Sequence, residues 1–265
     1  MRVRIFGAGR IGQAAARRCL SSGFDIRLAD LAETEELAVD PAAGGLALLA
    51  LTHGTQVGDL LTRLRGVDAV LDLTTQSSTS AAVAAATADR CGLDYFGGGL
   101  TGGAAQLAGG TAVLLVGPWP APEPVRAVLD VLGSVIGFES AEQGARAKML
   151  HNAYLLMQQS LLALLGGGRG RLDADGLLRV LSTGTAGRPL AESSLVRDLT
   201  AETPASSYRN RLVVKDLAEI ERELSDLPPY LLELLADLRQ RFAQGAPDEP
   251  FTQVLKEIFL DAAPA

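Results

Sequence analysis

Lys148 and Asn152 lie four residues apart, a spacing that on a helix sets both side chains on one face, one turn from each other. A lysine so placed can hold a proton for a carbonyl being reduced, or stabilise the oxygen of an alcohol being oxidised. It does so best where burial or nearby cations draw its pKa down. An asparagine one turn on can orient the same small molecule through its amide. Thr101, Gly102 and Gly103 add a turn whose N–H groups and hydroxyl suit a carboxylate. The plain alternative for Lys148 is a solvated helical lysine. Composition speaks against it, because the chain writes nearly all its cations as arginine and has only Lys148, Lys215 and Lys256.

A second group of residues is built for phosphates. Gly7-Ala8-Gly9-Arg10-Ile11-Gly12 follows the apolar run Val3-Arg4-Ile5-Phe6 directly. Gly7 permits a tight strand-to-helix turn, and Gly9 lets backbone approach a pyrophosphate. Gly12 lets the next helix pack close to the strand. Ala8, Arg10 and Ile11 complete the turn and open that helix, whose N-terminal N–H groups and positive dipole end suit anions. A glycine-rich turn alone can be no more than a turn. Here a strand precedes it, an alanine-rich helix follows from Gln13 to about Leu20, and a second strand ends at the acid Asp30. Asp30 can accept both ribose hydroxyls while its charge repels a 2′-phosphate, so NAD is expected over NADP. Arg17 and Arg18 read as solvated residues of that helix.

These groups need a frame. Short apolar runs at 3–6, 26–29, 46–51, 69–73, 93–96 and 112–116 read as strands, with helices at 55–65 and 78–91 between them. Continuous apolar strands joined by helices predict a parallel, doubly wound α/β sheet of the Rossmann type over residues 1–144. From about Ala145 the strand signal vanishes. The stretches 150–165, 175–181, 209–224 and 229–244 read as helices, with breaks at 166–168, 183–188 and 226–229. An all-α domain over 145–265 is therefore expected.

Bulk properties narrow the class. The chain has 265 residues, 48% of them hydrophobic, enough for a large core in one or two domains. A net charge of −7 argues against nucleic acid as a partner. Cys19 and Cys91 lie outside any metal spacing and read as buried thiols in a reducing compartment. His53 and His151 have no ligands at metal spacing, so no metal is expected. No apolar run reaches membrane-spanning length, and the first strand leaves no room for a leader, so the expected setting is cytoplasmic.

Several short motifs occur in a telling order: Leu51-Thr52-His53-Gly54, Asp72-Leu73-Thr74-Thr75, Leu100-Thr101-Gly102-Gly103, and the stretch from Gly144 through Lys148 to Asn152. Lys215-Asp216-Leu217 follows in the helical half. In this the chain resembles the β-hydroxyacid dehydrogenases of the 3-hydroxyisobutyrate dehydrogenase group, to which imine reductases are related. The resemblance implies a second half like the C-terminal domain of 6-phosphogluconate dehydrogenase. It also implies an NAD(P)-dependent oxidoreductase that moves a hydride between nicotinamide and a small, carboxylate-bearing hydroxy acid, or its aldehyde or keto form. Lys148 would be the acid–base group, and Asn152 with Thr101, Gly102 and Gly103 would hold the substrate. Leu51, Thr52, Thr75 and Lys215 would border the cofactor, and the enzyme would be a homodimer. Two other readings stand beside this one. The first is reduction of a C=N bond, although imine reductases usually replace the catalytic lysine. The second is a non-catalytic NAD-binding scaffold or sensor, against which the intact Lys148/Asn152 pair weighs.

The chain departs from the family pattern in three places. The segment 31–45 is short, Gly97-Gly98-Gly99 replaces an Asp-Ala-Pro and is expected to open the pocket, and a glycine run at 166–170 interrupts a long helix. His151 stands one helical step off the Lys148–Asn152 face and is expected to support the site rather than act in it. Trp119 and Tyr154 read as packing residues. Leu155, Leu156, Leu161, Leu162 and Leu165 read as buried against other helices or a second subunit.

Overall fold

A strand sandwiched between two layers of helices exposes neither face, and β1 (Arg2–Phe6) is buried at four of its five positions. The computed structural model describes residues 1–30, 45–152, 198, 201–204, 209–223 and 228–261. The chain divides into two units, Met1–Leu156 and Met157–Ala265.

In the first unit β1 is followed by α1 (Arg10–Ser21), β2 (Asp25–Ala29), β3 (Leu46–Leu49), α2 (Gly54–Arg63) and β4 (Ala69–Asp72). Then come α3 (Ser78–Arg90), β5 (Asp94–Thr101), α4 (Gly103–Gly109), β6 (Ala112–Gly117), α5 (Glu123–Leu132) and β7 (Gly133–Gly137). A helix over 141–152, α6, closes the series. The strands form one sheet in the order β2-β1-β3-β4-β5-β6-β7. Val3, Ile5, Leu48 and Leu71 face a core shared with α1 and α5. Phe6, Leu49 and Val70 face the other core, which takes Leu60 and Leu61 from α2, Ala84 from α3, and Ala141 and Ala145 from α6.

The chain leaves β1 for β2 on one side and returns to β3 on the other. The crevice of such a doubly wound sheet opens at that reversal, beyond the strand ends. The expected Rossmann-type sheet is present, with a difference at one end. β5 runs antiparallel to β6, and β7 is parallel to β6. Ten residues, 102–111, separate β5 from β6, fewer than the dozen or more that a parallel crossover needs. β5 also continues through Gly97-Gly98-Gly99 to Thr101, well past the apolar run that announces it.

The described part of the second unit is helical: α7 (Asn210–Glu223), α8 (Pro229–Gln244) and α9 (Phe251–Asp261). Val213, Phe242 and Val254 form its small core, with the rings of Phe242 and Phe251 6.4 Å apart. The expected helix 175–181, most of 150–165, Tyr154, the leucines from 155 to 165, the glycine run 166–170 and nearly all of 31–45 lie outside the described residues.

Two expectations in the first unit are corrected. Cys91 is exposed, since it caps α3 at the surface, whereas Cys19 is buried and its thiol is pushed up to about 11 by desolvation. Arg18 is not simply solvated: its guanidinium lies over Gly110, and its Nε donates to the carbonyl of Val131 at 2.7 Å.

The glycine turn makes a direct prediction. A Cβ on Gly12 would run into the carbonyl oxygen of Gly7, whereas one on Gly9 would meet nothing within 4 Å. Gly12→Ala should therefore cost about 2 kcal/mol of stability in urea denaturation, the scale of an overpacked contact. Gly9→Ala should cost under about 1 kcal/mol.

Candidate active site

The turn after β1 has the form a dinucleotide requires. Gly7 takes φ +106°, donates its N–H to the carbonyl of Ala29 at 3.0 Å, and has no room for a side chain against the carbonyl of Ala50. Gly9 is the N-cap of α1 and no side chain caps that end, so the first N–H groups of the helix face outward. The open space at Gly9 and this uncapped terminus fit a pyrophosphate. Ala8 is held by the Gln13 amide, which donates to its carbonyl at 2.8 Å. Arg10 is exposed, Ile11 packs at the rim of the core, and Asp30 is exposed just past the end of β2.

Two more strand ends border this crevice, and a buried carboxylate ties them together. Asp72, the last residue of β4, is wholly buried. It accepts from the Thr74 N–H at 2.8 Å, the Tyr95 hydroxyl at 2.6 Å and the Gln76 amide at 2.8 Å. Thr74 Oγ1 in turn accepts from the N–H of Leu51 at 3.1 Å, fastening the loop after β3 to the loop after β4. Gln76 lies against Gly54 at the start of α2, and in the loop before that helix the N–H groups of Thr52 and His53 donate to Gln56 Oε1. Leu51 is buried while Thr52 and Thr75 are exposed, so both hydroxyls are open to a bound molecule. Burial pushes the Asp72 carboxyl above its ordinary value, partly offset by its donors. The same burial, with the Asp72 charge beside it, pushes Tyr95 well above its own. Asp72 belongs to a motif visible in the sequence, but nothing in the sequence marks Tyr95 or Gln76 as its partners.

Lys148 lies on α6 against β5. The side chain is buried at 7% exposure, and its stem runs over Gly99, where a Cβ would stand 3.2 Å from Lys148 Cγ. Gly144 and Gly98 meet backbone to backbone, and a Cβ on Gly98 would stand 3.1 Å from Gly144 Cα. The expectation that Gly97-Gly98-Gly99 opens the pocket is thus corrected. The space their side chains would need is taken by the Tyr95 ring at Gly97, by the Leu115 carbonyl and α6 at Gly98, and by the lysine stem at Gly99. Desolvation draws the Lys148 pKa below the ordinary lysine value, the direction acid–base chemistry needs. Among the described residues, no hydrogen bond or ion pair engages its ammonium group.

At the top of β5 a hydrogen-bonded chain joins the strand to the helix. Thr101 Oγ1 and His151 Nε2 are 3.0 Å apart, and His151 Nδ1 and Asn152 Oδ1 are 3.3 Å apart. Gly102 and Gly103 both take positive φ, at +104° and +72°, and open α4 without a side-chain cap. The structure thus gathers Lys148, Asn152 and Thr101 around β5, with His151 as the link between Thr101 and Asn152. Gly144, Lys148 and His151 form a stripe along α6, so His151 belongs to the face that packs on β5. Lys215 is exposed on α7 in the second unit. Among the described residues no cluster of three or more His, Cys, Asp or Glu side chains could hold a metal ion, and no helix is long and apolar enough to cross a membrane.

Known proteins share this fold. A family model described as the NAD binding domain of 6-phosphogluconate dehydrogenase matches residues 2–141. No curated protein matches the chain. Among solved structures, a 3-hydroxyisobutyrate dehydrogenase of Mycobacterium tuberculosis, with L-serine, is 21% identical over 97% of this chain and 98% of its own, with a TM-score of 0.60. A reductive aminase of Aspergillus terreus, in complex with NADPH and ethyl levulinate, is 21% identical over 97% of this chain and 99% of its own, at 0.73. An imine reductase of Bacillus cereus is 19% identical over 98% and 99%, also at 0.73. At these identities the likeness establishes a shared fold.

The Asp72 network carries a pH signature. A carboxyl whose native pKa is raised binds its proton more tightly folded than unfolded, so its contribution is fully present in acid and declines as pH rises through the raised native value. Urea denaturation across a pH series should show this decline in the wild type. In Asp72→Asn, which has no carboxyl at that place to titrate, that decline should be absent.

Proposed function

Because the chain belongs to the family of the NAD binding domain of 6-phosphogluconate dehydrogenase, we propose that it is an NAD(P)-dependent oxidoreductase. Its substrate is a small hydroxy acid, or the corresponding aldehyde or keto acid. The observation that carries this reading is the buried Lys148, its pKa lowered, laid over Gly99 beside Thr101 and Asn152. The nicotinamide, when bound, supplies the hydride acceptor or donor. Gly7, Gly9 and Gly12, with the N-terminus of α1, would hold the pyrophosphate, and Asp30 the ribose. Thr52 and Thr75 would border the nicotinamide side, as would Lys215 by family resemblance.

In oxidation the neutral amine of Lys148 takes the alcohol proton as the carbonyl forms; in reduction its ammonium returns that proton to the oxygen. Asn152 orients the oxygen-bearing carbon, and the turn at Thr101, Gly102 and Gly103 takes the carboxylate end. A C=N substrate is the second reading, supported by TM-scores of 0.73 to the reductive aminase and imine reductase against 0.60 to the hydroxyisobutyrate enzyme. We further propose a homodimer, with the boundary between nucleotide-binding and helical domains near residue 145. Leu150, 63% exposed on α6, is one of the apolar side chains such a dimer would cover.

Asp30 leads to an expectation about the cofactor. Fluorescence titration should find NADH bound more tightly than NADPH, and equal or tighter NADPH binding would remove Asp30 from the ribose site.

Lys148→Ala should leave cofactor affinity nearly intact and lower turnover by about a hundredfold or more. Lys148→Arg should not restore it, since guanidinium keeps its proton. In the oxidative direction kcat/KM should rise with pH along a limb below the ordinary lysine range, because burial favours the neutral amine, and that limb should vanish in Lys148→Ala. Steady-state kinetics over a panel of hydroxy acids would measure all three, and near-wild-type turnover in Lys148→Ala would end this mechanism.

A further inference from the structure

The chain from Thr101 through His151 to Asn152 has a direction, and the direction follows from which atoms can donate. With the Asn152 amide turned so that Oδ1, which only accepts, faces the ring, the proton between them is carried by His151 Nδ1. A neutral imidazole with its proton on Nδ1 has a bare Nε2. The hydrogen bond at that end must then be donated by the Thr101 hydroxyl. Thr101 has spent its one proton on the ring and presents lone pairs to the crevice. Asn152 has spent its carbonyl oxygen on the ring and presents its amide N–H groups.

We infer that His151 is a positioning and specificity-determining residue. By fixing these directions it sets an acceptor at Thr101 Oγ1 and a donor at Asn152 Nδ2. The site is then matched to a substrate that carries a hydroxyl or ammonium donor beside its oxygen acceptors. The inference rests on the proposed oxidoreductase reading in placing the substrate against Thr101 and Asn152. It refines that reading, because the Thr101 hydroxyl is withdrawn from any carboxylate and leaves the anion to the backbone N–H groups of the turn. A methyl group at the same place would leave the Thr101 lone pairs unpaired.

The direction is measurable without turnover. The chain has two histidines, so long-range ¹H–¹⁵N correlation of the labelled protein, with a His53→Gln variant for assignment, reads the His151 tautomer at a pH where the ring is neutral. Protonated Nδ1 and bare Nε2 are expected. A proton on Nε2, or a ring averaging both forms, would overturn the inference and leave the hydride-transfer reading untouched.

The consequence for specificity is read with two probes that differ by one hydroxyl, glycerate and 3-hydroxypropionate. The wild type should favour glycerate by roughly tenfold in kcat/KM, the scale of one satisfied hydrogen bond. His151→Leu should collapse that preference to below about twofold. His151→Gln, whose Oε1 can stand where Nε2 stood, should recover it, which a merely structural role for the ring would not predict. A preference unchanged in His151→Leu would overturn the inference. Turnover of neither probe, nor of any other hydroxy acid, would count against the oxidoreductase reading, and the tautomer would still decide this one.

Discussion

The first unit depends on backbone approaching backbone. Gly12 must lie against Gly7 for α1 to seat on β1, Gly7 must pass beneath the carbonyl of Ala50, and Gly98 must meet Gly144 for α6 to lie on β5. Each approach is closer than a side chain permits, and each sits where a strand gives way to the crevice or where a helix delivers a polar group to it. Elsewhere the sheet is held by ordinary burial of aliphatic side chains on two faces. The glycines decide where that apolar frame opens.

Within this frame buried polar side chains are few and are tied into networks, although among the described residues Gln76 Oε1 has no hydrogen-bond partner. Asp72 could have been an expensive carboxylate in the core. Instead it draws together Thr74, Gln76 and Tyr95, and through Thr74 it fixes the backbone of Leu51. Two loops that border the crevice are therefore set by one side chain that never reaches it. His151 plays a comparable part at the top of β5, linking a strand residue and a helix residue in one geometry.

What could be read from the sequence follows from how local each constraint is. The turn from Gly7 to Gly12 was legible because each glycine answers a need within a few residues of itself. The pairing of Lys148 with Asn152 was legible from helical spacing, with the family resemblance supplying its role. Strand direction was not: nothing in the run 112–116 tells parallel from antiparallel, and only the short connection before it does. α5 and β7 were not among the elements expected, and Pro122, Pro124 and Gly133 lie at their ends. In the structure they start the helix and turn it directly into the strand. Gly97-Gly98-Gly99 was misread for a physical reason, since a missing side chain can mean a cavity or a contact, and only the partner surface distinguishes them. The role of His151 was hidden because Thr101 is fifty residues away.

The reversal of β6 and β7 has a consequence for how the site is measured out. β7 ends at Gly137, level with Gly98 of β5 and with the end of β4, so α6 rises along only the last residues of β5 and carries Lys148 past the ends of the parallel strands. Along that climb Gly144 stands at Gly98 and His151 at Thr101. Seven helical residues rise about 10.5 Å, and three extended residues rise about 10 Å. The two elements act as the scales of a vernier, with different graduations that coincide at the glycine contact and again at the histidine. Adding or removing one residue in either scale between those marks would shift the second coincidence while preserving the first. Both elements would still form, but the lysine would be aimed at the wrong place.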